Sequence, residues 1–488
     1  MKTKIKPIAL KLHLKDEQQE KYQTARRAHW NWVARWKDTH RGLGGAYHRR
    51  LEEIYGFIIP KGQKVLEIGC GNGQLLASLK PSYAVGLDFS EEMISGAKET
   101  YPNLTFITAD AHDFLIQEKF DFIILSDLVN DLWDVQTVIS RIAEVCTPRT
   151  RIIINTYSHL WELPLRAAQS MKLMTPTLSQ NWLTVNDIRG LLNLCDFETI
   201  HHWEEVLCPL PIPFLQSLLN RFAVKVWPFR WFAMTNFIVA RPKPYNHTEK
   251  LLVSVIVPVR NEAGNIPMIL KRTPEMGKGT ELVFVEGHST DNTRDAITKA
   301  IKAQPERRAL LFQQLGSGKG DAVRLGFEKA NGDILMILDG DMTVPPEELP
   351  RFYDALVSGK GEFINGVRLV YPMEKEAMRF LNLLGNKGFS LAFTWLLGQP
   401  IKDTLCGTKV LWRRDYERIS NNRSYFGEFD PFGDFDLLFG AAKLNLKICE
   451  LPIRYRQRCY GSTNISRWTH GWLLLRMVCF AALRIKFV

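Results

Sequence analysis

"MILDGDMTV", residues 336 to 344, is a run of apolar residues that stops at two aspartates, Asp339 and Asp341, one glycine apart. A short apolar run of this kind reads as a buried strand, and such strands seldom finish on acids unless the carboxylates have something to hold. Taken alone, Asp-Gly is a turn signal. Its neighbours argue otherwise. "VSVIVPVRNEAGN" (253–265) closes another apolar run with Pro258, Asn261 and Glu262, and "ELVFVEGHSTDNT" (281–293) closes a third with Glu286, Ser289 and Asp291. Three parallel strands that each deliver polar groups at their carboxyl ends mark the crevice in which an open α/β sheet binds its ligand. Two carboxylates at i and i+2 can share one hard cation, and Mg2+ or Mn2+ suits such oxygen ligands. Asp339 and Asp341 are therefore expected to hold a metal.

The same rhythm occurs earlier in the chain. "KVLEIG", "AVGLDF", "LTFITAD", "FDFIILSD" and "RIIINTYS", between residues 64 and 158, alternate with helical patterns, as βα units of a parallel sheet do. "FETIHHWEEVL" and "RWFAMTNFIVARP" are expected to add a hairpin at the sheet edge. "RPKPYNHTEK" (241–250), with two prolines and no apolar period, reads as a linker. The expected organisation is a helical N-terminal extension (1–49), a first α/β domain (50–240), the linker, a second α/β domain (251–470) and a basic amphipathic C-terminal helix (471–488). A chain of 488 residues is too long for one core, and its 45% hydrophobic and 24% charged residues are those of an ordinary globular protein.

Eight cysteines without a CxxC pair suggest neither a zinc site nor a disulfide framework, which fits a cytoplasmic setting. The net charge of +11 is concentrated at one end. Residues 443 to 488 carry nine Lys or Arg against the single acid Glu450, interleaved with Trp468, Trp472, Phe480 and Phe487. Two readings stand side by side: peripheral association of this end with an anionic membrane face, or a solvated helix packing its aromatics on the core. No module that reads nucleic-acid bases is visible, so nucleic acid is not an expected partner.

In "VLEIGCGNGQLL" (65–76), Gly69, Gly71 and Gly73 follow a strand and open a helix, where a ligand can approach the backbone with no Cβ in the way. The spacing differs from the GxGxxG of dinucleotide binders. Asp88 ends the next strand, where a carboxylate accepts both hydroxyls of a ribose. Asp110 ends the third, placed to meet the amino group of an adenine.

These motifs carry a resemblance. Through "EIGCGNG", "GLDFSEEM", "TADAHD" and "FDFIILSDLVND", residues 50 to 240 resemble a class I S-adenosylmethionine-dependent methyltransferase. The resemblance implies S-adenosylmethionine as cofactor, with Glu67, Gly69, Gly71 and Gly73 near its methionine part, Asp88 at the ribose, and Asp110 with Ala111 at the adenine. Ser126 and Asp127 would border the methyl-acceptor cleft. Because the sulfonium carries its own leaving group, the transfer needs alignment and, for a hydroxyl acceptor, a base. His112, Asn130, Asp131, Asn155 and His159 are the candidates.

Residues 250 to 470 resemble a family 2 glycosyltransferase with a GT-A fold, through "VPVRNEAGNI", "VEGHSTDNT", "GKGDAVRLGFEKANGDI" and "LDGDMTVPPEEL". "DTLCGTKVLWRR" and the segment from "FGDFDLLFG" to "GSTNIS" are similar to the polyprenyl-phosphate-sugar synthase branch. The resemblance implies a nucleotide-diphosphate sugar donor and a lipid-phosphate acceptor at a membrane surface. Pro258, Asn261, Glu262, Glu286, Ser289, Asp291, Lys319 and Asp339 would bind the donor, and Asp339 with Asp341 the metal. Asp436 would be the acceptor-side acid, and Arg458 would face the phosphates. Relatives often read "VDDGS" where this chain has "VEGHS", which leaves the base and sugar open. Asp434 and Asp436 lie two apart and cannot share a helix face, and Asp434 suits a helix cap. The fold class expected overall is α/β with two Rossmann-like domains, a seven-stranded class I methyltransferase sheet followed by a GT-A domain. Functionally this implies a bifunctional transferase, the alternative being a glycosyltransferase with a non-catalytic methyltransferase-like scaffold.

Overall fold

The computed structural model describes residues 17–39, 45–171, 173–244, 249–368, 370, 380–423, 433–456, 460 and 467–488. The chain divides into two compact units, Met1–Thr199 with Glu204–Pro242 and Lys243–Val488 with Ile200–Trp203. Each contains one seven-stranded sheet.

The first unit contributes β1 (Lys64–Ile68), β2 (Tyr83–Asp88), β3 (Thr105–Thr108), β4 (Phe120–Ser126), β5 (Cys146–Tyr157), β6 (Phe197–Glu205) and β7 (Thr235–Pro242). They are ordered β3-β2-β1-β4-β5-β7-β6, so the expected hairpin occupies the sheet edge, with β7 antiparallel to β5. The first five are parallel neighbours. Ile123, Ile124, Ile152, Ile153 and Ile154 are all buried, an apolar run typical of parallel strands covered on both faces. The order reverses at β1, whose two neighbours β2 and β4 open a crevice at their carboxyl ends. Two N-terminal helices, Glu17–Thr39 and Gly45–Ile58, belong to this unit, and the second is anchored by buried Leu51, Ile54 and Tyr55.

The second unit contributes β8 (Leu252–Val259), β9 (Gly279–Glu286), β10 (Arg308–Gln313), β11 (Ile334–Ile337), β12 (Phe363–Val367), β13 (Lys409–Trp412) and β14 (Ile448–Pro452), ordered β10-β9-β8-β11-β13-β12-β14. β10, β9, β8 and β11 run parallel, and β13 enters antiparallel to β11. Alternate residues feed opposite faces: Val253, Val255, Phe284 and Met336 enter one core cluster, while Ile256, Val283, Val285 and Ile337 enter the other. The terminal helix Arg467–Ala481 packs Leu474, Met477 and Ala481 into the latter cluster and leaves Trp472 exposed. Its inner side is a core face made by aliphatic residues rather than by the aromatics that the solvated-helix reading placed there. Among the described residues no helix is long and apolar enough to cross a membrane.

Gly73 shows how sequence sets the turn after β1. It sits at φ 74° ahead of the helix Gln74–Ser78, and a Cβ there would come within 2.6 Å of the Phe106 ring. Gly73→Ala adds left-handed strain to that clash and is expected to destabilise the first unit by about 1–3 kcal/mol in urea unfolding. Unchanged stability would mean that the loop relaxes.

Candidate active sites

In the first unit a cleft of about 460 Å3 opens at the carboxyl ends of β1 to β4. Gly69, Asp88, Asp110 and Ala111 line it, together with Leu128 and Asp131. The N-terminal helix closes it with Tyr22, Gln23 and Arg26. Sequence reading missed these three. Their apolar spacing is ordinary, and only the fold brings them over the cleft. Arg26 stacks on Tyr22, 3.7 Å from the ring centroid, and donates from Nε to the Asp131 carbonyl at 3.0 Å.

The glycine turn is tied to the ribose candidate directly. The amide of Gly71 donates to Asp88 Oδ2 and that of Ser90 to Oδ1, both at 2.9 Å, which fixes the carboxylate at the rim. Nothing lies within 4 Å of where a Gly71 Cβ would project. Glu67 is buried beneath the turn, and one of its oxygens, Oε2, is enclosed without a hydrogen-bond partner among the described residues. Burial, and then the charge of Asp88, pushes the Glu67 carboxyl up to about 8. A buried acceptor of this kind is costly unless a ligand donates to it. An orphaned acid, an open glycine turn and a fixed rim carboxylate fit a nucleoside with a cationic tail.

The base candidates separate clearly. His112 uses both ring nitrogens, Nδ1 against Asp110 Oδ1 at 2.6 Å and Nε2 as acceptor from the Asp134 amide at 3.1 Å, so it orients Asp110. Asp131 accepts from Trp30 Nε1 at 2.9 Å, and Asn130 is buried. His159 lies on the surface 3.5 Å from Glu162. Asn155 donates to Asp127 at 2.6 Å and accepts from the Tyr55 hydroxyl at 2.6 Å. Asp127, next to Ser126 at the end of β4, is the unusual member. Its φ is +52°, and its carboxylate accepts from the hydroxyls of Tyr47 at 2.9 Å and Tyr157 at 3.4 Å. Burial pushes it up to about 7 against these hydrogen bonds. A carboxyl held at a left-handed backbone position and pushed up by burial is the candidate base of this unit.

In the second unit the three strand ends converge as expected. Asn261, at φ +58°, donates its amide to Ser289 Oγ at 3.0 Å and accepts from the Thr290 amide at 2.8 Å, locking the loop after β8 to the loop after β9. Glu286 accepts from the Ser289 amide at 2.5 Å, and Asn265 donates to Glu262 at 2.7 Å. Asp291 accepts from the amide and hydroxyl of Thr293 at the start of the helix Thr293–Ala303, so its visible part is a latch on that helix. Pro258 precedes this junction within β8, and its carbonyl would lie 3.1 Å from a Cβ on Gly340.

Beyond β11, Asp339 pairs with Lys319, the first residue of the helix Lys319–Lys329, at 2.5 Å. Burial alone would raise the Asp339 carboxyl, but Lys319, with Lys409 and Arg368 behind it, holds it below its ordinary value. Lys319 is raised in turn by Asp339, Asp434 and Asp341 against the opposing effect of burial. Asp341 accepts from the Thr343 amide at 3.1 Å and hydroxyl at 2.8 Å. Gly407 passes over the pair so closely that a Cβ would fall on the Asp339 carboxylate and the Lys319 ammonium. Two carboxylates separated by one glycine are a hard-oxygen donor set that fits Mg2+ or Mn2+. Among the described residues no group of three or more His, Cys, Asp or Glu stands ready as a cage, so a cation there would complete its shell from ligand oxygens.

The helix Asp434–Lys443 corrects one expectation. Gly433, at φ 73°, is the N-cap, and Asp434 caps nothing; its carboxylate meets the fully buried Lys409 ammonium at 2.8 Å. Asp436, two residues on, faces away into a second cleft lined by Arg324, Phe327, Tyr416 and Arg423. There its Oδ2 accepts from Arg423 at 3.1 Å and lies 3.8 Å from Arg324. The two arginines are missed residues, although Arg324 lies inside the quoted "GKGDAVRLGF". Arg456 is carried to the loop after β11, its amide donating to the Thr343 carbonyl at 2.9 Å, while Arg458 lies outside the described residues.

A family model described as Glycosyl transferase family 2 matches residues 254–420, and one described as Methyltransferase domain matches residues 59–204. Glycosyltransferase AglJ of Haloferax volcanii is 30% identical over 224 residues, covering 46% of this chain and 69% of that protein. The chain belongs to glycosyl transferase family 2. It is a family 2 glycosyltransferase preceded by a methyltransferase domain, and both expected families are present. Undecaprenyl-phosphate 4-deoxy-4-formamido-L-arabinose transferase of Aeromonas hydrophila is 31% identical over 118 residues, 23% of this chain. The glycosyltransferase spans just over a third, 36%, of the length of that relative. A solved structure of glucosyl-3-phosphoglycerate synthase from Mycobacterium tuberculosis aligns with 18% identity and a TM-score of 0.36, over 48% of this chain and 80% of that one.

The two aspartates of the helix Asp434–Lys443 are expected to separate stability from function. Asp434→Asn strands a buried ammonium and should cost about 3–5 kcal/mol in urea unfolding. Asp436→Asn, in a partly open cleft, should cost under about 1 kcal/mol. Equal losses would show that Asp436 is the structural partner as well.

Proposed function

We propose that the chain is a bifunctional transferase. Its first unit moves a methyl group from S-adenosylmethionine, and its second moves a sugar, with inversion, from a nucleotide-diphosphate sugar to a polyprenyl phosphate or related membrane-associated acceptor. The observation that carries the reading is the Lys319–Asp339 pair beside Asp341, seated where three parallel strands end. Glu262, Glu286, Asn261 and Ser289 offer the base and ribose side, while Asp339 and Asp341 would hold Mg2+ or Mn2+. A divalent cation bound there supplies positive charge to the departing diphosphate. Lys319 adds a fixed charge on the same side, partly shielded by Gly407.

The acceptor side supports a phosphate nucleophile. Such an acceptor is ionised before it binds, so no base is required, and Arg324 and Arg423 offer planar donors suited to phosphate oxygens. Asp436 then positions the two guanidinium groups and offsets their mutual repulsion. The named substrate of the Aeromonas relative, an undecaprenyl phosphate, has this chemistry. A membrane-associated acceptor also suits peripheral association of the basic C-terminal end.

In the methyltransferase domain, Glu67 would take the amino group of the methionine part, Asp88 the ribose, and Asp110 with Ala111 the adenine. Bound S-adenosylmethionine supplies both the methyl group and its own leaving group. What the protein adds is alignment and, for a hydroxyl acceptor, Asp127 as base.

Asp339→Asn combined with Asp341→Asn is expected to weaken calorimetric binding of UDP- or GDP-sugars in Mn2+ by about tenfold or more. Undiminished binding by the double variant would falsify the metal role. For the first unit the sign of the Glu67 shift sets the test. With its carboxyl raised to about 8, Glu67 is protonated at pH 6.5, and pairing with an ammonium favours the ionised form. S-adenosylmethionine binding at pH 6.5 should therefore release a proton, read as a dependence of binding enthalpy on buffer ionisation heat, and Glu67→Gln should remove it. Binding without proton release would place Glu67 outside the site.

A further inference from the structure

Between β6 and β7 of the methyltransferase domain runs a 29-residue stretch, 206–234, that holds three cations, Arg221, Lys225 and Arg230, and no acid. Val206, Val224, Ala233 and Met234 anchor it in the protein. Its own fold is tied by Asn220, whose amide group donates to the Cys208 carbonyl at 2.7 Å and accepts from the amides of Leu207 and Cys208 at 2.8 Å. Lys225 is buried in an ion pair with Glu205, which Arg50 also contacts at 3.3 Å. The side facing outward is aromatic and aliphatic. Phe214 is 93% exposed, Trp227 65% and Trp231 57%, with Leu218, Phe229 and Phe232 also open.

The stretch is held rigidly in this unfavourable presentation. Phe214 sits at φ +60°, a conformation a bulky residue occupies only when its surroundings impose it. Trp161 Nε1 donates to the Phe232 carbonyl at 2.9 Å, which joins exposed Leu160 and Leu163 to the same surface. The Ser158 amide donates to the Met234 carbonyl at 2.7 Å, so the surface rises from the end of β5, the strand that also carries Asn155 and Tyr157. An apolar surface of this extent marks an interaction site.

We propose that residues 206–234 form a docking face for an anionic lipid bilayer, separate from the basic C-terminal end. Its charge selects this occupant. Arg221 and Arg230 are exposed among the aromatics and the stretch contains no acid, so two copies meeting face to face would bring like charges together. Anionic headgroups are complementary to this net positive charge while Trp and Phe rings enter the interface, the arrangement of an interfacial membrane element. The inference rests on the first unit alone and does not depend on the nucleotide-sugar reading.

The test uses the full-length protein and vesicles of phosphatidylcholine with about 30% phosphatidylglycerol. Wild type should float with these vesicles, and Phe214→Ser/Trp231→Ser/Phe232→Ser should lower the partition coefficient about tenfold or more, with an unchanged melting temperature because the three side chains are exposed. Brominated lipids should quench wild-type tryptophan fluorescence, and Trp227→Phe/Trp231→Phe, which keeps the apolar surface, should lose most of that quenching while still floating. Equal flotation of the triple variant, or quenching that survives in the double variant, overturns the proposal. So does a wild-type protein that ignores the vesicles and sediments as a dimer that the triple variant dissociates.

Discussion

The ion pair between Lys319 and Asp339 is the interaction around which the glycosyltransferase unit is arranged. A buried charge pair repays its desolvation only when the geometry is close and further partners surround it. Here the partners come from four separated stretches: Lys319 from a helix start, Asp339 from the end of β11, Lys409 from β13 and Asp434 from the helix that follows Gly433. Gly407 and Gly433 are the concessions that let them meet. A Cβ on Gly407 would strike the pair itself, and one on Gly433 would come within 2.7 Å of the Gly320 Cα, beside Lys319. Removing any one charge leaves another stranded, so the cluster fixes the crossing of its segments as well as the site.

The methyltransferase unit solves a related problem with the opposite electrostatics. Both units set a carboxyl at the end of a central parallel strand, Glu67 buried and Asp339 partly exposed. Asp339 has three cations near it and stays below its ordinary value, whereas Glu67, buried beside the Asp88 charge, rises to about 8 despite a backbone hydrogen bond from Leu76. One acid is satisfied internally before any ligand arrives. The other is left with an orphaned oxygen that only a donor from outside can meet. A site built on the second plan gains most of its binding free energy from relieving that deficit.

Much of this was legible in the sequence because the determinants are local. Apolar runs ending in Asp, Glu or Gly identify strand ends, and the spacing of runs identifies parallel βα units, whatever surrounds them. Asp88 meeting the glycine turn and Asn261 meeting Ser289 follow from such strand ends lying side by side. What could not be read was the direction taken by a residue with two plausible partners. Asp434 looks like a cap by position, but Gly433 occupies the cap, and the buried ammonium of Lys409, 25 residues earlier in the chain, is the stronger attraction. Arg26 and Tyr22 show the same limit, since their place over the cleft depends on where the N-terminal helix lies.

By itself, then, the sequence determined the two α/β units, their family characters and the acids at their strand ends, since each is encoded within a few residues of its own position. Tertiary structure decided which of those acids face one another, which face a cleft, and that a stretch of ordinary apolar composition at 206–234 turns its aromatics outward. The reason is physical: strand and turn formation depend on neighbours along the chain, whereas charge pairing and burial depend on neighbours across it.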